Sequence, residues 1–242
     1  MSPIVGTAGW AISAADRSSF SDVGSALQRY ASVLRGVEVN SSFHRPHRRS
    51  TWERWAASVP DDFRFAAKIP KDISHVGRLV STEARLEQFL EEVHGLGDKL
   101  AILLLQLPPS LAFDANLASV FFAAASSRTN ARIVCEPRHE SWFSLEAESL
   151  LAHHQVARVA ADPAKVQAAA LPGGWRGMTY LRLHGSPVMY RSRYGEDRLL
   201  HYAAMIQADR GDRPVWCMFD NTAASAALSD ALHLLRLLGD VK

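Results

Sequence analysis

Residues 100–106 read L-A-I-L-L-L-Q, and Leu107, Pro108 and Pro109 follow them. A short apolar run that ends at prolines is typical of a parallel β-strand buried on both faces. Parallel neighbours cannot be joined by a tight hairpin, because the chain has to cross back over the sheet, usually through a helix. The run therefore predicts an α/β fold in which strands alternate with helices.

Segments of the same kind recur along the chain. The average step between their first residues is roughly 30 residues, close to the ~30 residues of one βαβ unit. Apolar residues at helical spacing fill the intervals, as at Leu86, Phe89, Leu90 and Val93 before Gly95, where the glycine suits a helix C-cap. We place the strand starts at Ile4, Val37, Arg64, Leu100, Arg132, Val156, Thr179 and Val215.

The number of units favours a closed barrel over an open sheet. Eight strands that each precede a helix form a TIM-type (β/α)₈ barrel of ~250 residues, and this chain has 242. The alternative is an open doubly wound sheet, which usually carries a glycine-rich fingerprint after a strand; the sequence contains neither G-x-G-x-x-G nor the Walker A pattern. Residues 171–177 predict a loop, but no long polar linker interrupts the chain. We expect one barrel domain over residues 1–242.

Composition argues against several classes of protein. Hydrophobic residues make up 48% of the chain and charged residues 21%, a balance that supports a folded core and argues against intrinsic disorder. The longest apolar run is far shorter than the ~20 residues that cross a bilayer, and the first residues lack the pattern of a signal peptide. The net charge of +2 is too small for general attraction to nucleic acid. We therefore expect a cytoplasmic protein that binds no membrane, with Cys135 and Cys217 as buried, reduced thiols.

Polar side chains collect where the predicted strands end. In a TIM barrel the catalytic and binding residues lie at the C-terminal ends of the strands and in the loops that follow. The fifth strand ends in the densest polar stretch, E-P-R-H-E-S-W at Glu136–Trp142. On the second and seventh strands, the two-residue period puts Glu38 with Asn40, and Arg182 with His184, on one face. These side chains predict a polar site inside the barrel mouth.

Several strand-end residues have two interpretations. Lys68 ends the third strand, where it is either a catalytic lysine or one half of a structural ion pair with Glu38 on the neighbouring strand. Trp10 either stacks on a ligand or packs at the rim of the barrel. Asn221 either touches a ligand or caps the last helix. Arg45, in a basic loop, either binds an anion or is an exposed arginine before a helix.

Six short motifs occur in a fixed order along the chain. They are G-T-A-G-W at Gly6–Trp10, V-E-V-N-S-S-F at Val37–Phe43, Q-L-P-P at Gln106–Pro109, E-P-R-H-E-S-W at Glu136–Trp142, Y-L-R-L-H-G at Tyr180–Gly185 and F-D-N at Phe219–Asn221. Together they resemble the YecE-like family, domain of unknown function 72, over essentially the whole chain. The family's usual patterns are G-T-S-G-W, N-S-T-F-Y and F-N-N, so this chain departs from them at Ala8, Ser42, His44 and Asp220. The resemblance implies a TIM-type barrel and leaves the reaction open.

Our first functional hypothesis is an enzyme or ligand-binding protein for a small anionic substrate, phosphorylated or a sugar phosphate. As an enzyme it would be a hydrolase or lyase that uses carboxylates and histidines as acids and bases, with cations to hold the substrate. It requires no cofactor. The candidate catalytic residues are Glu38, Glu136, His139 and His184, and the candidate ligand-binding residues are Trp10, Asn40, Arg45, Lys68, Gln106, Arg138, Trp142, Arg182, Tyr194 and Asn221.

Two alternatives stay open. One is a metal-dependent phosphoesterase, by analogy with the barrel endonucleases that act at abasic sites; arginines and a lysine at the mouth oppose its divalent cation. The other is a nucleic-acid-binding protein that uses the basic loop 45–49 together with Arg191 and Arg193, which the near-neutral charge disfavours. Oligomeric state stays open. The metal hypothesis draws its ligands from His75, His139, His184, Glu38, Glu136 and Asp162.

Overall fold

The strands follow the pattern predicted from the sequence. The computed structural model describes residues 2–209, 211 and 213–239, and each of the eight predicted strands is present there, starting within one residue of its expected position. The strands are β1 (Ile4–Thr7), β2 (Gly36–Val39), β3 (Arg64–Lys68), β4 (Leu100–Gln106), β5 (Arg132–Glu136), β6 (Ala157–Arg158), β7 (Ala160–Asp162), β8 (Gly173–Gly174), β9 (Thr179–Leu183) and β10 (Val215–Phe219).

Helices fill most of the intervals between strands. They are α1 (Ala26–Ala31), α2 (Ser41–His44), α3 (Arg49–Ala57), α4 (Glu83–Val93), α5 (Ala115–Ser126), α6 (Leu145–His153), α7 (Glu196–Asp209) and α8 (Ala227–Leu237). The apolar stripe of α4 is buried as predicted, but Gly95 does not cap it, because α4 ends at Val93 and a 3₁₀ segment continues through His94–Lys99. None of the helices described is long and apolar enough to cross a membrane.

The parallel strands close into a TIM-type barrel at two seams. One sheet has the order β1-β10-β9-β7, and the other runs from β2 through β3, β4 and β5 to β6, with β8 antiparallel at its edge. The sixth predicted strand is split at Val159 into β6, which pairs with β5, and β7, which pairs with β9. This split strand joins the two sheets on one side of the barrel.

The second seam joins β1 to β2. Ala8 forms a parallel bridge with Glu38, and the Gly9 N–H donates to the Glu38 carbonyl at 2.8 Å. Lower in the seam the Tyr30 hydroxyl accepts from the Thr7 N–H and donates to the Gly36 carbonyl, each at 3.0 Å. A side chain from α1 thus joins two strands that share only one bridge.

One unit departs from the predicted pattern of a helix after every strand. Between β7 and β9 the chain forms only a 3₁₀ turn, Gln167–Ala170, and the short strand β8. Pro163 and Pro172 flank this segment, which leaves no room for a regular helix of ordinary length. The predicted loop at 171–177 therefore contains the two β8 residues, paired to β6.

Side chains inside the barrel change character along the strands. Apolar side chains fill the N-terminal half, among them Ala66, Leu104, Val134, Tyr180 and Met218, which belong to one buried cluster. Because side chains two apart share a face, the next inward positions toward the C-terminal ends follow these residues directly. Those positions are polar: Lys68, Gln106, Glu136, Arg182 and Asp220. The barrel therefore has an apolar floor beneath a polar layer.

Candidate functional site

Arg182 lies at the centre of the polar layer and contacts three carboxylates. Its side chain is fully buried. It donates to Glu38 Oε1 at 2.6 Å, to Glu136 Oε2 at 2.7 Å and to Asp220 Oδ2 at 3.0 Å. The Tyr180 hydroxyl donates to the other oxygen of Glu38 at 2.8 Å. Arg182 is thus buried and bound to three carboxylates. It holds these side chains in place and is not free to bind a ligand, the role predicted for it from the sequence.

His184 bridges two of these carboxylates. Its Nε2 lies 3.1 Å from Glu136 Oε1, and its Nδ1 lies 3.0 Å from Asp220 Oδ2. Burial works against the charged imidazolium, but Glu136 and Asp220 outweigh it and raise the pKa of His184 above its ordinary value. With an acceptor at each ring nitrogen, His184 is held ready to carry a proton.

Glu136 is a second hub, because it binds groups from three further strands or loops. Besides Arg182 and His184, its Oε1 accepts from Gln106 Nε2 at 3.1 Å and from Arg138 Nη2 at 3.0 Å. Although burial opposes ionisation, Arg182, His184 and Arg138 hold the pKa of Glu136 well below its usual range. Glu136 is therefore an ionised anchor at neutral pH and a poor proton acceptor.

Arg138 reaches from this anchor toward solvent. Its side chain is 16% exposed, and its Nη2 lies 3.4 Å from the Tyr190 hydroxyl and 3.5 Å from His184 Nε2. Glu136, Arg138 and His184 line a cavity of about 20 Å³. A cavity of that size has room for about one water molecule, so a single water can lie beside His184.

Lys68 stands apart from the network of ion pairs. The structure contradicts a Lys68–Glu38 pair: among the residues described, no carboxylate oxygen lies within 4.0 Å of the Lys68 amine, since Glu38 is engaged by Arg182 and Tyr180. The Lys68 Nζ instead lies over the Phe43 ring, 4.1 Å from its centroid. The residue is only 7% exposed.

The environment of Lys68 disfavours its charged form. Burial and the nearby Arg182 guanidinium outweigh the attraction of Glu38, Glu136 and Asp220, and they lower the pKa of Lys68 to about 8. The amine is nevertheless not completely sealed from solvent. Within the described part of the chain, the polar side-chain atoms that are sealed and without a hydrogen bond are Asn40 Oδ1, Trp52 Nε1, Arg85 Nη1 and Asn221 Oδ1, and the Lys68 amine is not among them.

Asn40 and Gln106 join the cluster as predicted ligand-binding residues that contact carboxylates. Asn40 Nδ2 donates to Asp220 Oδ1 at 3.1 Å, and Gln106 donates to Glu136. The structure thus brings seven of the predicted residues together, namely Glu38, Asn40, Lys68, Gln106, Glu136, Arg182 and His184, with Arg138 at the edge.

Other predicted residues have structural contacts instead. His139 begins a 3₁₀ turn, where its Nδ1 accepts from the Ser141 N–H at 3.2 Å. Trp142 is buried in the core and donates to the Leu111 carbonyl at 3.0 Å. The Tyr194 hydroxyl donates to Asp162 Oδ2 at 2.7 Å.

The three remaining predicted ligand contacts also lie outside the cluster. Asn221 donates to Asp230 Oδ2 at 2.7 Å and does not cap α8. Trp10 packs edge-on against Trp55 with ring centroids 5.1 Å apart, which is the rim-packing interpretation. Arg45 is exposed, and no described residue forms an ion pair with its guanidinium.

Sequence reasoning missed Asp220, Tyr180 and Tyr190 as site residues. The two-residue period along β9 would have found Tyr180 below Arg182, and Asp220 directly follows β10. Tyr190 had no such signal, because it lies in an irregular loop with a left-handed φ of 67°.

The carboxylates are not arranged as metal ligands. Within residues 2–209, 211 and 213–239, no group of three or more histidine, cysteine, aspartate or glutamate side chains is placed to hold a metal ion. The physical reason is that Glu38, Glu136 and Asp220 all point at the Arg182 guanidinium, which occupies the position a cation would take.

Comparison with known proteins finds one family model and several relatives that the chain is similar to. A family model described as "Protein of unknown function DUF72" matches residues 4–242. The UPF0759 protein YunF of Bacillus subtilis (strain 168) is 24% identical over 250 residues, covering 88% of this chain and 86% of that protein. The UPF0759 protein YecE of Escherichia coli (strain K12) is 32% identical over 82 residues, a match that spans 34% of this chain and only 30% of that protein's length.

A solved structure shares the fold. The crystal structure of a DUF72 family protein from Enterococcus faecalis V583 aligns with a TM-score of 0.82, covering 98% of this chain and 96% of that one. The sequence identity is 18%, so the likeness extends to the fold and not to a shared activity.

Proposed function

The chain belongs to the DUF72 family of proteins of unknown function, which confirms the resemblance of its motifs. From the geometry of its own site, we propose that it binds a small anionic molecule at the C-terminal mouth of the barrel. We propose that it then acts on this molecule by acid–base chemistry. The ligand is a carboxylate or a phosphorylated compound small enough to enter the mouth. The proposal places Lys68 and Arg138 against the anion and His184 as the proton carrier.

The observation that carries the proposal is that Lys68 has no counter-ion among the described residues. Charged side chains that are buried are almost always paired, because an isolated charge is costly to remove from water. Glu38, Glu136 and Asp220 are close enough to affect Lys68 electrostatically, yet all three are bound to Arg182. An anion from solvent would supply the missing partner.

Arg138 supplies a second cation to the same mouth. It is partly exposed, and although Glu136 neutralises it in part, its Nη2 also faces the Tyr190 hydroxyl. His75 lies within electrostatic range of both Lys68 and Arg138, which supports a common mouth for the two cations. Two cations on separate strand ends favour a ligand with delocalised negative charge.

His184 is the group best suited to move a proton. A carboxylate oxygen lies at each of its ring nitrogens and its pKa is raised, and both features favour the protonated imidazolium that a general acid needs. The water-sized cavity that it lines with Glu136 and Arg138 provides a route for the proton through one water. Glu136, with its lowered pKa, acts as the fixed charge that orients the imidazole.

Calorimetric titration tests the proposal. The probes are inorganic phosphate, pyruvate and glycerol 3-phosphate, and we expect at least one to bind the wild-type chain. The Lys68→Met variant should lose roughly tenfold or more in affinity, which corresponds to about 1.4 kcal/mol. Lys71→Met is the matched control, because Lys71 is an exposed lysine three positions away. Failure of every probe to bind, or equal affinity in both variants, would refute the proposal.

A further inference from the structure

We infer that Lys68 is a nucleophile that forms an imine with the carbonyl carbon of an anionic aldehyde or ketone, such as a 2-oxo acid. The inference rests on the proposed anion site and names the chemical class of its ligand. It starts from the geometry of the Lys68 amine, which forms no ion pair with any carboxylate of the described residues.

The surroundings of Lys68 are those of an activated amine. Its stem is buried at the end of β3, its Nζ lies over the Phe43 ring, and the nitrogen is not completely sealed from solvent. A lysine amine becomes a nucleophile when it is desolvated or lies near another cation, because both effects favour the neutral form that carries the lone pair. Arg182 is that neighbouring cation.

The charges around the amine support the same conclusion. With the pKa of Lys68 lowered to about 8, roughly a tenth of the amine is neutral near pH 7, compared with well under a thousandth for an ordinary lysine. His75, itself with a lowered pKa, lies within range of the amine and does not restore its charge. The charged groups that act on Lys68 are Arg182, Glu38, Glu136 and Asp220.

The rest of the mouth suits a carbonyl that lies next to a negative charge. Arg138 is the partly exposed cation and can hold a carboxylate while the carbonyl carbon meets Lys68. Once formed, a protonated imine is a cation at the position where Lys68 has no counter-ion among the described residues. The ligand's own carboxylate then pairs with it.

The covalent step is balanced without an oxidant or a second reactant. The neutral Nζ attacks the carbonyl carbon and forms a C–N bond, while the carbonyl π pair moves to oxygen, which takes a proton from solvent. The nitrogen loses a proton, the hydroxyl leaves as water after taking another, and the C=N bond forms. Because oxygen takes two protons and nitrogen releases one, the sum is neutral amine plus carbonyl plus one proton giving protonated imine plus water.

Reductive trapping tests the inference on the full-length chain. The protein is incubated near neutral pH with glyoxylate and cyanoborohydride, which reduces an imine to a stable secondary amine, and each lysine is then quantified by peptide mass spectrometry. The chain has five lysines, so each can be read separately: Lys68, Lys71, Lys99, Lys165 and Lys242. We expect Lys68 to be modified at least about tenfold faster than exposed Lys71, in line with its activated environment.

Two controls separate the inference from the proposed function. Lys68→Arg keeps a buried cation, and its circular dichroism confirms folding; it should leave Lys71 labelling unchanged and abolish the fast site. Acetaldehyde replaces glyoxylate as a neutral probe, and Lys68 should react with it more slowly.

Each outcome decides one claim. If Lys68 is labelled no faster than Lys71 while calorimetry still shows Lys68-dependent anion binding, the imine inference falls and the proposed function stands. If Lys68 is fast with both aldehydes alike, the nucleophilic amine stands and the anion site falls.

Discussion

At the scale of single residues, Arg182 decides how the barrel mouth is built. One fully buried guanidinium faces three carboxylates, and its pKa is raised well above the ordinary value because their attraction exceeds the effect of burial. Removing one partner of a buried ion network costs more than the network contributes, because the remaining charges stay buried and unpaired.

We predict that Arg182→Met strongly destabilises the fold. The free energy of unfolding should fall by about 3–5 kcal/mol, as for other buried ion pairs that lose one partner. Urea unfolding followed by circular dichroism measures the change. The control is Arg49→Met, because Arg49 and Glu53 are more than half exposed and the change there should stay within about 1 kcal/mol. Equal effects of the two substitutions would contradict a structural role for Arg182.

Lys68 gives a prediction about how the free energy of unfolding depends on pH. In the unfolded chain its pKa returns to the ordinary value of 10.5, whereas in the folded chain it is about 8. Between these values the unfolded chain binds more protons, so the contribution of Lys68 to the free energy of unfolding rises with pH and is constant below about 8. The full rise is about 3 kcal/mol, since one pKa unit is worth about 1.4 kcal/mol.

The measurement is the difference in unfolding free energy between wild type and Lys68→Met at several pH values. The difference cancels the titration of other groups and isolates Lys68. We expect Lys68→Met to be the more stable protein near pH 7 and to lose that advantage toward pH ~10. A difference that does not change with pH across this interval would show that Lys68 has an ordinary environment.

Single residues also show where sequence reasoning fails. The two-residue period correctly put Glu38, Arg182 and His184 on inward faces, because that property belongs to one strand alone. Which partner each would take was not predictable: Glu38 pairs with Arg182 across the barrel and not with Lys68 on the adjacent strand. Partner choice depends on side-chain reach in three dimensions, which spacing along the chain does not encode.

At the scale of elements, the β1–β2 seam depends on two glycines. A Cβ on Gly6 would lie 2.2 Å from the Gly36 carbonyl oxygen, and a Cβ on Gly36 would lie 2.3 Å from Ile4 Cγ2. Both distances are far inside van der Waals contact. The strands approach this closely because neither glycine has a side chain.

We predict that Gly6→Ala destabilises the barrel at this seam. The new methyl group meets backbone, which cannot rotate away, so the free energy of unfolding should fall by about 1–3 kcal/mol or more. Gly195→Ala is the matched control, because nothing lies within 4 Å of a Cβ added there. Thermal unfolding of both variants measures the effect, and an unchanged midpoint for Gly6→Ala would mean that the seam is looser than described.

The elements themselves were the most predictable part of the molecule. Strand starts follow from local apolar runs, and all eight agree with the structure. The break at Val159 and the missing helix before β9 were not predicted, because both depend on how the sixth strand has to turn from β5 toward β9 to close the barrel. Closure is a property of the whole sheet and leaves no periodic signal in one segment.

At the scale of the whole molecule, the fold keeps charged side chains that pair with each other apart from a charged side chain that can meet a ligand. The net charge of +2 gives no indication of an anion site. Inside the barrel, however, Arg182 binds the three carboxylates, and Lys68 has no ion-pair partner within the described part of the chain. The apolar floor below this layer confines solvent and ligand to the C-terminal mouth.

The most direct test of this account is trace labelling of lysines with acetic anhydride across a range of pH, with and without inorganic phosphate, read by peptide mass spectrometry. We predict that the reactivity of Lys68 rises with a midpoint near pH 8, and that phosphate slows the labelling of Lys68 but not that of Lys71. If the reactivity of Lys68 has no midpoint near pH 8, or if phosphate does not change its labelling, then the Lys68 amine at the barrel mouth does not bind an anion.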